Sequence, residues 1–161
     1  MIEAKIHRVL FGPTDNIEEF IKQELDSAKK SITMMIFWFT WKPIAQKIIE
    51  AAQRGVKIEI LLDKRSTEIK LKDVDPINET LIPDFLSGFD NIKIYIYEGE
   101  LLHHKVILID EDRVLNGSCN FFNASINRHE ENYMSVQGKE LKDKFYERFI
   151  EIKQNSKRWN K

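Results

Sequence analysis

Cysteine is all but missing from this 161-residue chain, with Cys119 the single instance. One cysteine makes neither an internal disulfide nor a thiolate-rich zinc cluster, so the fold must rest on apolar packing. The length suffices for that, because a chain of this size buries about two-thirds of the surface it exposes unfolded. Glycine and proline are scarce at six and four, and 11% of the residues are aromatic, which together exclude a disordered chain. Neither sign of charge prevails. The 25 basic and 26 acidic side chains leave a net charge of -1, so a generally basic nucleic-acid wrapper is excluded and any phosphate binding must come from local positive charge. Long hydrophobic runs are also lacking. The strongest, Ile32 to Trp41, reaches about half the ~20 residues of a membrane-spanning helix. Met1–His7 lacks the charged-then-apolar pattern of a secretory signal, which implies a cytoplasmic protein with no stable membrane association.

What is present is an alternation of strand and helix patterns. Lys5–Phe11 reads as a strand and Gly12–Asn16 as a turn. Asn16 with Glu19 resembles a capping box, opening a helix with Ile17, Phe20, Ile21, Leu25 and Ala28 on one stripe. Ser31–Phe39 suits a largely buried strand, Pro43 to Gly55 a helix, and Val56–Leu62 another strand. Short connections make the two strands a parallel pair with a right-handed crossover. Ser66 to Asp90 is irregular, holding Pro76, Pro83 and a short helix over Glu79–Ser87, and reads as a surface connection. Strands follow at Ile92–Tyr97, His103–Asp110, Arg113–Gly117 and Asn132–Val136, and a helix at Lys139–Gln154. The fold class is α/β in a single domain over residues 1–161, with one mixed, mostly parallel β-sheet flanked by helices.

The chemistry gathers at His103-His104-Lys105, Asp110 and Asn116-Gly117-Ser118-Cys119-Asn120. Alternation along a strand puts His103 and Lys105 on one face, with His104 and Asp110 on the other. Glu111-Asp112 is the natural turn. A two-residue loop closed by Asp110 and Arg113, or a four-residue loop closed by Ile109 and Val114, sets Asn120 opposite His103 and Ser118 opposite Lys105. A three-residue loop would break that register. An imidazole, a fixed positive charge, a hydroxyl and an amide then converge without a metal or other cofactor. They would cradle a phosphate diester, Lys105 and Asn120 on the non-bridging oxygens and His103 as nucleophile or acid. A histidine beside a lysine is more often edge decoration, and Ser and Asn after a glycine are more often turn chemistry. The conjunction of all of them is what points to a site.

His103-x-Lys105 with Asp110, then Gly117-Ser118-x-Asn120, resembles the signature of the phospholipase D superfamily. Thr40, Pro43-Ile44-Ala45, Arg54-Gly55-Val56-Lys57-Ile58 and Leu62-Asp63-Lys64-Arg65 resemble its first strand–helix–strand unit, and Glu131-Asn132 the Glu-Asn pair of its small nucleases. The similarity runs from about Ser31 to the C-terminus and is closest to the small single-motif bacterial nucleases. It implies a homodimer, because the complete site needs two motifs and this chain offers one. It also implies that His103 attacks phosphorus in one subunit, and protonates the leaving oxygen and activates water in the other. Lys105 and Asn120 would bind phosphate oxygens, Ser118 support the pocket and Glu131 orient His103. Asp110 and Gly117 would be structural, His104 structural by its facing, and Cys119 core. Secreted members carry signal peptides, so their absence here implies an intracellular substrate.

The reading is a metal-independent endonuclease on DNA or RNA, with Lys64, Arg65 and Arg128 as substrate-binding candidates. Three alternatives stand beside it: a lipid phosphodiesterase, a nuclease subunit of a larger restriction or defence assembly, and a non-catalytic nucleic-acid binder. No basic amphipathic stretch favours the lipid. Trp38 and Trp41 are expected in the core. A mere binder needs no histidine nucleophile.

Overall fold

Asn16 caps the first helix as the sequence implies, its side-chain oxygen accepting from the Glu19 N–H at 3.0 Å. That helix, α1 (Ile17–Ser27), follows β1 (Lys5–Gly12) and buries Ile17, Phe20, Ile21 and Leu25. β2 (Ser31–Ile36), α2 (Lys42–Gln53) and β3 (Lys57–Asp63) form the strand–helix–strand unit. Pro43 sits in the first turn of α2, where its missing N–H is not needed, and Gly55 at φ 88° closes the helix in the left-handed conformation. The other elements are α3 (Ile82–Phe85), β4 (Ile92–Tyr97), β5 (Lys105–Ile109), β6 (Arg113–Gly117), α4 (Asn123–Asn127), β7 (Glu131–Gln137), α5 (Lys139–Gln154) and β8 (Ser156–Arg158). The structure, a computed structural model, describes residues 1–68 and 80–160. Pro76 and Glu79, where the expected short helix begins, lie outside them, and α3 is its described part. Two short elements, α4 and β8, carry no periodicity long enough to read from the sequence.

The strands form one sheet in the order β1-β7-β6-β5-β2-β3-β4-β8. It is mixed and flanked by helices, as the α/β class implies. The strand directions differ from the expectation of a mostly parallel sheet: β2–β3 and β3–β4 are parallel, whereas the other pairs are antiparallel. Only those two connections join neighbouring parallel strands, and the β5–β6 hairpin cannot pair otherwise. α1 and α2 cover one face, over Ile32, Ile58, Ile107 and Leu115. α5 covers the other, setting Phe149 and Ile152 against Met35, Leu61, Val106 and Leu108. Because β5 opposes both β2 and β6, and β7 opposes β6, four strand ends meet at one edge of the sheet: the ends of β2 and β6 and the starts of β5 and β7.

The β5–β6 turn corrects the expected register. Ile109 pairs with Arg113 and Val106 with Asn116, leaving a three-residue loop, Asp110-Glu111-Asp112. Asp110 adopts φ 52°, a conformation aspartate tolerates, and its N–H donates to the Ser31 carbonyl. Its carboxylate accepts from the backbone N–H of Lys30 at 2.7 Å, Ser31 at 3.0 Å and Lys29 at 3.1 Å. The loop takes three residues because its first folds back to tie the hairpin to β2. Desolvation alone would raise the Asp110 carboxyl, but the Ser31, Lys30 and Lys29 N–H groups hold it below the usual carboxylate range. Asp110→Ala should therefore lower stability by about 2–3 kcal/mol, the scale of losing charge-assisted hydrogen bonds. The deficit should be full above the ordinary carboxylate range and shrink as pH falls through the lowered value. Urea midpoints across pH measure it, and a midpoint matching the parent at neutral pH would show the tie to be idle.

Candidate active site

Lys105 opens β5 opposite Ile36 of β2 and is buried although charged. Its Nζ donates to the His103 carbonyl at 2.9 Å and lies 5.4 Å from the centre of the Phe37 ring. Burial pushes the ammonium below its ordinary value, and the Glu131 carboxylate pulls the other way. An ammonium has three donors, so this one keeps capacity for a phosphate oxygen. Continuing the observed pairing sets Gly117, not Ser118, level with Lys105, and the chain leaves β6 before Asn120 can face His103. The site closes through β7 instead.

Ser118 anchors that closure. Its N–H donates to the Asn132 carbonyl at 3.0 Å, and its Oγ accepts from the Asn132 N–H at 3.0 Å while donating to a Glu131 carboxylate oxygen. The other Glu131 oxygen accepts from Ser125 Oγ at 2.6 Å, and Ser125 Oγ accepts from the Asn120 N–H at 2.9 Å. Ser118, Asn120 and Glu131 are thus one network facing the Lys105 charge. Both Glu131 oxygens are engaged by serine hydroxyls, and within this chain neither takes a hydrogen bond from the His103 ring. Asn120 Oδ1 is buried without a donor. A half-turn of that amide would present two N–H donors in its place, as a phosphate-binding group requires. Gly117 is fixed by close approach: a Cβ there would lie 2.1 Å from the Asn132 carbonyl oxygen.

His103 stands at the rim, exposed, its ring 5.1 Å from that of Phe37. Two ties hold its backbone. Lys105 takes its carbonyl, and the preceding Leu102 N–H donates to Asp63 Oδ2 at 2.8 Å. Asp63 is fully buried and also accepts from Arg65, from its N–H at 2.9 Å and its Nη1 at 3.0 Å. Arg65 donates through Nη2 to the Glu100 carbonyl, and Lys64 to that of Glu98. These two cations therefore stitch the loop before His103 while keeping donors to spare. Arg128 is exposed at the end of α4, with no carboxylate partner among the described residues.

His104 is half-buried on the α5 side, where desolvation and then the nearby Arg148 charge lower its pKa. Burial pushes the Cys119 thiol up to about 12, so it stays an inert core group. Trp41 is core, as expected, but Trp38 is half-exposed. Among the described residues no three His, Cys, Asp or Glu side chains converge as a metal site. Sequence reasoning gave Asp63 no role of its own and missed Ser125, Phe37 and Ser66, whose buried hydroxyl donates to the Phe37 carbonyl at 2.6 Å. Only the fold brings them to the site, and no spacing rule marks them.

Residues 21–153 match the family model described as cardiolipin synthase, PLD-like domain. The chain belongs to the phospholipase D-like family. It is accordingly a hydrolase of phosphodiester bonds. A phospholipase D of Rickettsia bellii is 29% identical over 143 residues, covering 89% of this chain and 67% of the relative. The crystal structure of Nuc from Salmonella typhimurium, a phospholipase D family member, superimposes with a TM-score of 0.86 at 24% identity, over 99% of this chain and 100% of that one. NucT from Helicobacter pylori gives a TM-score of 0.84 at 21% identity, over 98% and 100%. At these identities the two structures speak for the fold.

The opposed influences on Lys105 give a pH prediction. Glu131→Gln removes the carboxylate that raises the Lys105 value and leaves the desolvation that lowers it. If charged Lys105 binds the phosphate, the alkaline limb of kcat/KM should move to lower pH in this variant. A limb that stays in place or moves upward would separate Lys105 from that limb.

Proposed function

We propose that this phosphodiesterase is an endonuclease that cleaves DNA or RNA without a metal, through a covalent phosphohistidine, at a site shared by two copies of the chain. The observation that carries the reading is the pairing of an exposed His103 with the buried Lys105 ammonium, its backbone clamped beside the Ser118–Glu131–Ser125–Asn120 network. Lys105 and Asn120 supply charge stabilisation and hydrogen bonds to the phosphate oxygens as negative charge builds in the transition state. A nitrogen of His103 attacks phosphorus and the bond to the leaving oxygen breaks. The leaving oxygen takes a proton from His103 of the partner subunit. That same ring then removes a proton from water, whose oxygen displaces the nitrogen and frees the phosphate. Glu131 organises Ser118 and Ser125 behind the pocket. The resemblance of His103-x-Lys105 and Gly117-Ser118-x-Asn120 to the single-motif nucleases supports the nucleic-acid substrate.

The name of the Rickettsia relative favours a lipid as second reading. Among the described residues no helix is long and apolar enough to cross a membrane. Incubation in EDTA with labelled single- and double-stranded DNA and RNA, and with phospholipid vesicles in parallel, separates these readings. Cleavage of nucleic acid in EDTA is the expected result. Activity lost in EDTA and restored by magnesium would overturn the metal-free mechanism, and cleavage of lipid alone would overturn the nuclease.

A further inference from the structure

A line of rings leads away from His103. The Phe37 ring centre lies 5.1 Å from that of His103 and 5.9 Å from Trp38. Trp38 lies 6.0 Å from Phe122, and Phe122 lies 6.0 Å from His129. Phe37, Trp38 and Phe122 are half-exposed and His129 is exposed, so the rings show part of their surfaces to solvent rather than packing away. The backbone beneath them is fixed. Phe37 N–H donates to the His104 carbonyl, Phe121 N–H to that of Trp38, and both Thr40 and Trp41 N–H to that of Phe121, all at 2.8–2.9 Å. Such a platform loses little freedom on binding. Arg128, next to His129, adds an exposed cation at the far end.

We propose that Trp38, Phe122 and His129 form a stacking strip that seats an unpaired single strand and leads its phosphodiester to His103. The inference rests on the nuclease reading and narrows it to single-stranded substrate. Aromatic faces stack on bases of any sequence, but only where the bases are free of a duplex, and strips of this kind hold about two or three of them. A tightly paired helix would meet the strip with its backbone and gain none of this. Insertion into a lipid interface would need protruding apolar tips. The large apolar side chains most exposed to solvent include Ile6, Val9, Phe11 and Leu101, whereas the two apolar rings of the strip are partly sunk and it ends on a histidine beside an arginine.

The test compares kcat/KM for a single-stranded oligonucleotide, the same sequence in a duplex, and bis(4-nitrophenyl) phosphate, a diester too small to reach past Phe37. The wild-type dimer should prefer the single strand to the duplex by about tenfold or more. Trp38→Leu and Phe122→Leu should each lower the ratio of single-strand to small-diester kcat/KM by about tenfold, the scale of one lost base–ring stack. Trp38→Tyr should restore most of that ratio. Oligonucleotide cleavage with ratios unmoved by both leucine variants would overturn the strip and leave the nuclease standing, as would equal losses on both substrates. Cleavage of the small diester and of cardiolipin vesicles, but of no oligonucleotide, would overturn the nuclease itself. Vesicle binding weakened by Trp38→Leu would then assign the rings to a lipid surface.

Discussion

His103→Ala is expected to abolish turnover while the protein stays folded. In the proposed mechanism the substitution removes the nucleophile from one subunit and the acid from the other, and each role is large alone. General acid–base catalysis contributes about a hundred- to ten-thousandfold, and loss of a nucleophile commonly more, so the combined fall should exceed about ten-thousandfold. The fold has little stake in this ring. His103 is exposed, and what the structure uses of it is its backbone, bound by Lys105 at the carbonyl and flanked by the Asp63–Leu102 tie. Urea unfolding of the variant should match the parent within about 0.5 kcal/mol, as for other surface substitutions. Quenching wild-type turnover of a phosphate-labelled substrate in alkali should leave base-stable, acid-labile label on His103, the behaviour of a phosphoramidate. Residual turnover of a pure His103→Ala sample within tenfold of wild type, or inversion at phosphorus with direct entry of solvent oxygen, would remove the mechanism.

The elements that position this histidine were legible because they depend on local pattern. Alternation of Val56, Ile58, Ile60 and Leu62, the Asn16 cap, and Gly55 at φ 88° behave as their residue types dictate. The β5–β6 register was not, because both turns of even length that the sequence suggested ignore a long-range partner. Asp110 bonds the backbone of residues 29–31, and that gain selects a three-residue loop with an aspartate at φ 52°. The same limit applies around the site. His103, Lys105, Ser118 and Asn120 announce themselves by spacing, whereas Asp63 and Ser125 act through contacts 39 and 6 residues distant in sequence. Arg65 shows the same limit, since its tie to Asp63 is invisible in a reading that sees only its charge.

Mixed dimers should reveal whether the site is shared. One chain supplies one motif histidine, but a two-step displacement at phosphorus needs a nucleophile and a separate acid. An isologous two-fold interface with His103 near its axis brings both rings to one phosphate, along with both Lys105 ammonium groups, and so gathers local charge that a net of -1 would not suggest. After full exchange between wild-type and His103→Ala chains at equal concentration, about one quarter of the dimers would carry two wild-type chains by random pairing. The mixed dimers, each lacking either nucleophile or acid, should be dead or nearly so. Activity should then fall with the square of the wild-type fraction rather than in proportion to it. The curvature is the decisive quantity, because it needs no assumption about which subunit attacks. A linear dependence, with exchange verified by mass, would mean that each chain works alone, and the second proton donor would have to be sought within the same subunit.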